Sequence, residues 1–212
     1  EWAHLEGITG KDVTILLLED SGVNHADIRK NVEAGSPEHA LNGIKYKLDH
    51  GSGMASLIHA MAPDSVIRAR PIGKLSTSLN SDVRIINASF GSIEENGFRD
   101  TFTGVTTAGS NPLIVKSAGN HQQNLSEHPY TKNCEFLIPS TLFAGNLRQD
   151  YKGSTSSGFP GTNIEFQNSF LWVIADDVLT ASGPDNSTQY SPGSGTTKTR
   201  RSIFKSTPRP NH

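Results

Sequence analysis

Val13-Thr14-Ile15-Leu16-Leu17-Leu18-Glu19-Asp20-Ser21-Gly22 is the stretch on which the fold reading turns. Its β-branched and leucine residues run without a polar break, as in a strand buried on both faces, and Asp-Ser-Gly then closes it as a turn. Thirty residues after Asp20, His50-Gly51-Ser52 opens a second pattern. Met54, Leu57, Ile58 and Met61 fall at i, i+3, i+4 and i+7, one face of a helix. Pro63 disfavours helical geometry at Ala62 and so ends it. An ionisable Asp at the end of a buried strand and a His at the start of a helix suit a proton relay. Such a relay needs a hydroxyl or thiol as its third member.

Further strands are expected at Ile67–Ile72, nearer a sheet edge, and at Val83–Asn87, Leu113–Lys116, Thr141–Ala144 and Leu171–Ala175. Phe98, Phe102 and Val105 suggest a helix, while Lys74–Leu79 reads as loop. Strands alternating with helical stretches imply crossover connections, hence an α/β fold with a mostly parallel sheet and helices on both faces, in three layers. Sites in such sheets form beyond the carboxyl ends of the strands. Asp20, Ser89 and Asn120 each lie just past one of those ends.

Composition narrows the function classes. The 212 residues fit one domain with a sizeable core, and 20 Gly and 11 Pro indicate many loops. A formal charge of −2 gives no global field for nucleic acid or an anionic membrane, so neither is expected as a partner. The single cysteine, Cys134, excludes an internal disulfide framework and reads as a small buried hydrophobe. The eight histidines contain no His-Glu-x-x-His, and no acidic cluster suggests a metal. Ser157-Gly158-Phe159-Pro160-Gly161 lacks the Lys-Ser/Thr of a phosphate loop and reads as a turn-rich connection. The apolar run is far too short to cross a bilayer. No signal peptide is visible at Glu1, and the compartment stays unassigned.

Four segments, taken in order, resemble the subtilisin-like serine peptidases. Leu18-Glu19-Asp20-Ser21-Gly22 is similar to the family's Asp motif, and His50-Gly51-Ser52-Gly53-Met54-Ala55 to its His motif. Ile86-Asn87-Ala88-Ser89-Phe90-Gly91 resembles the strand lining the substrate cleft, and Lys116-Ser117-Ala118-Gly119-Asn120 the segment with the oxyanion Asn. The resemblance runs from about Gly10 to Thr196, giving an expected domain at 1–196 and a basic tail at 197–212. It implies that Asp20 orients His50 and that His50 is general base, then general acid. It implies that Asn120 donates to the oxyanion, and that an extended polypeptide pairs with Ser89, Phe90 and Gly91. Ser117, Ala118 and Gly119 would wall the pocket for the residue before the cleaved bond. A monomer is expected, without a cofactor; calcium is common in the family, and no site for it is placed here.

The family's nucleophile stands in a Gly-Thr-Ser motif opening a buried helix. Here Gly195-Thr196 is followed by Thr197 and then by Lys198-Thr199-Arg200-Arg201. Burying those charges without partners would cost several kcal/mol each. Thr hydroxyls do serve as nucleophiles beside a suitable base, and Ser194 and Ser202 lie nearby. Three readings stay open: an endopeptidase using Thr197 or a displaced Ser, a peptide-binding module that does not cut, and a truncated or frameshifted product.

Overall fold

The computed structural model describes residues 2–19, 22–23, 25–33, 50–70, 82–90, 111–127, 140–175, 178–182 and 188–193. Six strands form one sheet: β1 (Thr14–Leu18), β2 (Val66–Arg70), β3 (Val83–Ala88), β4 (Leu113–Ser117), β5 (Thr141–Leu147) and β6 (Phe170–Ile174). Their spatial order is β2-β1-β3-β4-β5-β6, and every neighbouring pair is parallel. Among the described residues the α-helices are the single-turn α1 (Trp2–Leu5), the three-turn α2 (His50–Met61) and the short α3 (Ile164–Asn168). β7 (Val178–Ser182) and β8 (Gln189–Gly193) make a separate antiparallel hairpin.

All five residues of β1 are buried, which is why their sequence shows no alternation. Burying each of the three leucines contributes roughly 1.5–3 kcal/mol. Register then sorts the side chains by face. Leu17 is level with Ala69 and Asn87, and Asn87 with Val115. Leu18, one position on, shares its row with Ala88, Lys116 and Phe143. On the first face Leu17, Ile67 and Ala69 pack against Met54 and Ala55 of α2. On the second, Phe143 packs edge-on against Phe166 of α3, with ring centroids 5.4 Å apart, alongside Ala118 and Leu125. Helices therefore cover opposite faces of the parallel sheet, as the alternation of elements implies.

Five of the six sheet strands lie within one or two residues of their expected positions, β5 runs three residues further, to Leu147, and β2 is an edge strand as expected. The β7–β8 hairpin was not anticipated. Its sequence is rich in Ser, Thr, Gly and Pro, and Pro192 stands inside β8 opposite Leu179. Such composition reads as loop unless the docking partner is known. The expected helix around Phe98–Val105, the loop at Lys74–Leu79, and Cys134 lie outside the described residues.

Strand order fixes where a site belongs. The chain leaves β1 for β2 on one side and returns to β3 on the other, so connections diverge between the carboxyl ends of β1 and β3. That crevice is the place where open parallel sheets bind ligands. The free edge of β2 is covered at one point by Val32, bridged to Ile67, and by the Glu33 N–H, which donates to the Ile67 carbonyl at 2.8 Å.

Arg68, buried in β2, ties this edge together. Its guanidinium donates to both oxygens of Glu33 at 2.6 and 2.7 Å and to both of Asp82 at 3.2 Å. The hydrogen bonds to Arg68 hold both carboxyls below their ordinary values. Carboxylates lowered in this way stabilise the fold fully above their unfolded pKa values, and that contribution is lost as pH falls through the folded values. Partial exposure of Glu33 and Asp82 keeps the contribution modest. Urea midpoints should therefore fall between about pH 5 and pH 3, and fall less in Arg68→Met. Equal acid sensitivity in the two proteins would contradict this role for Arg68.

Candidate active site

His50 is the first residue of α2, and residues 51–56, the next turn and a half, are buried. Its Nδ1 is 2.8 Å from Oε2 of Glu19, whose side chain is only 5% exposed. Glu19 follows the last residue of β1, and its N–H donates to the Arg70 carbonyl at 3.0 Å, extending the β1–β2 ladder by one step. Alternation with Leu17 puts Glu19 on the α2 face. The carboxylate found beside the imidazole is thus that of Glu19, while Asp20 lies outside the described residues. Nothing in the sequence motif singles out Glu19, because the resemblance rests on Asp-Ser-Gly.

The hairpin docks on the same helix. Thr180 lies against Gly53, where an added Cβ would stand 3.5 Å from its Cβ. One step further along both elements, Ala181 N–H donates to Ser56 Oγ at 3.1 Å. The open end of the hairpin is Val178 opposite Gly193. A second clasp comes from His25, whose Nε2 meets the Gln189 carbonyl at 2.9 Å with the Tyr190 ring edge-on at 5.0 Å. Tyr190 also donates to Asp27 at 3.2 Å. Burial first, and then Asp27, raises the Tyr190 phenol above its usual value.

On the next strands, Ser89 and Phe90 follow β3, while Ser117 ends β4 and Ala118 and Gly119 follow it; all five are buried. Ser89 Oγ donates to Asn87 Oδ1 at 2.6 Å. Lys116, also buried, sends its ammonium to the Phe90 carbonyl at 2.5 Å and the Ser117 carbonyl at 2.9 Å, and stands 4.8 Å from the Phe90 ring centroid. This cation joins the two segments expected to flank the cleft. Lysine in a parallel core strand breaks the apolar pattern, and that was the available clue. Gly91 and Thr197 lie outside the described residues.

Asn120 is exposed, three residues past β4 and on the same rim as His50. Two strand spacings separate β1 from β4, about 10 Å. Gly119 turns the chain in the left-handed region at φ 86°. The connection at Ser157–Gly161 supports this turn. Gly158 N–H donates to the Gly119 carbonyl at 2.9 Å, and Phe159 N–H to the Gln123 carbonyl at 2.9 Å. Ser157 Oγ accepts from Asn146 N–H at 2.9 Å and is itself buried. What reads as a plain loop in sequence is a buttress for the Asn120 segment. Among the described residues no three His, Cys, Asp or Glu side chains gather to hold a metal ion.

No family model and no curated protein matches this chain. Solved structures do. A lanthipeptide protease superposes with a TM-score of 0.68 at 18% identity, over 93% of this chain and 72% of its own. The prenylagaramide maturation protease PagA gives 0.62 at 18%, over 92% and 74%. A PatG macrocyclase in complex with peptide gives 0.64 at 16%, over 92% and 74%. At such identities the likeness is one of fold: an α/β architecture with a six-stranded parallel sheet, subtilisin-like.

Gly158 lies directly against the backbone of Ala118. A Cβ at this position would overlap the Ala118 carbonyl oxygen, a backbone atom that cannot swing aside. Gly158→Ala should lower stability by about 1–3 kcal/mol in chemical denaturation. A variant as stable as the parent would contradict this packing.

Proposed function

We propose that this protein is a subtilisin-type acyl-transfer peptidase acting on extended polypeptide. The observation that carries the proposal is the carboxylate–imidazole hydrogen bond from the end of β1 to the start of α2, at the strand-order reversal. With Nδ1–H committed to a carboxylate, the Nε2 lone pair of His50 faces outward and can take a proton. Thr197 lies four residues beyond Gly193, the last residue of β8, and its hydroxyl is the nucleophile in this reading. Attack on the peptide carbonyl carbon transfers the hydroxyl proton to His50 Nε2 and leaves a negative oxygen. The Asn120 side-chain amide donates to that oxygen, which develops fully only in the tetrahedral intermediate. His50 then returns its proton to the departing amine, and water releases the acyl group by the same steps.

Peptide would lie along the segments after β3 and β4. Backbone groups of Ser89, Phe90 and Gly91 would pair with it as an added strand. Ser117, Ala118 and Gly119 would form the pocket wall. One of the solved structures that share this fold, a PatG macrocyclase, is in complex with peptide. The motif resemblance gives the His50-orienting role to Asp20, whereas Glu19 Oε2 is the acceptor that stands 2.8 Å from His50 Nδ1.

A second reading has its own support. Thr197 carries a methyl where the resemblance calls for Ser, and Lys198, Arg200 and Arg201 follow where a small apolar helix start is expected. Peptide binding without cleavage fits that segment. A fluorophosphonate probe separates the two. On the acyl-transfer reading the folded chain is labelled at Thr197, and His50→Ala slows labelling by at least ~100-fold. A folded sample that binds peptide and resists the probe would overturn it in favour of the binding module.

A further inference from the structure

We propose that Glu19, and not Asp20, is the positioning residue that holds His50 in its Nδ1–H tautomer. The inference deepens the acyl-transfer reading and rests on it for its meaning, although its test does not. Three observations carry it. Glu19 Oε2 stands 2.8 Å from His50 Nδ1, the distance of a charge-assisted hydrogen bond. The Glu19 side chain is 5% exposed, and a carboxylate removed from water to that degree requires a donor of this kind. Its backbone is fixed as well: the N–H is bonded to Arg70, and the preceding Leu16, Leu17 and Leu18 are at most 1% exposed.

Once Nδ1–H is held, the ring has one orientation and one outward nitrogen. Glu19 thus acts through His50 and has no contact of its own with the reacting carbonyl.

The tautomer is directly readable. Long-range proton–nitrogen correlation spectra of the 15N-labelled full chain distinguish Nδ1–H from Nε2–H in a neutral imidazole, with His50 identified by its loss in His50→Asn. The expected result is an Nδ1–H tautomer in the parent and in Asp20→Ala, lost in Glu19→Met, which keeps side-chain length but has no comparable acceptor. Glu19→Asp should retain it in part. Loss of the Nδ1–H form in Asp20→Ala, or its survival in Glu19→Met, would overturn the assignment. If Glu19→Met does not fold, Asp20→Ala decides alone: retention of the tautomer supports Glu19 and loss refutes it. The spectra read the imidazole whether or not the chain cleaves peptide, so a failed probe-labelling experiment leaves this test standing.

Discussion

The seating of the first turns of α2 between β1 and the β7–β8 hairpin is the constraint on which the rest depends. Met54 and Ala55 pack on Leu17, Ile67 and Ala69 from one side, while Thr180 and Ala181 close on Gly53 and Ser56 from the other. A helix held on two sides cannot shift along its axis without losing one set of contacts. Its first residue, His50, is thereby fixed over the end of β1, within hydrogen-bond reach of Glu19.

Around this fixed point the sheet supplies a rim. Parallel strands all end on one side, and their register brings Leu18, Ala88, Lys116 and Phe143 level. Residues just beyond that row are therefore neighbours in space although far apart in sequence. Lys116 ties the segments after β3 and β4 to each other, and Gly158 ties the Asn120 turn to the connection after β5. Polar groups buried at these points are hydrogen-bonded, so the rim is stiff where a reaction would need it to be.

Much of this was legible in sequence. The unbroken run from Val13 to Leu18 marked a two-sided strand, and the period of Met54, Leu57, Ile58 and Met61 marked the helix that covers it. Ser89 and Asn120 followed their strands because strand ends, turn residues and rim positions coincide in parallel sheets. The missed parts share a cause: they depend on contacts distant in sequence. Glu19 has no motif of its own and becomes notable only when α2 brings His50 to it. The hairpin is rich in Ser, Thr, Gly and Pro and is tied down through Ser56, His25 and Asp27. Gly158 reads as a turn residue until the Ala118 carbonyl is seen against it.

The account converges on one distance. A crystal structure of the full chain that resolves the segment after Gly193 would give the separation between His50 Nε2 and Thr197 Oγ1. The account predicts about 3 Å, the reach of a base to the proton it removes. A Thr197 hydroxyl on another face of the molecule, with Nε2 turned away from the chain leaving β8, would contradict it.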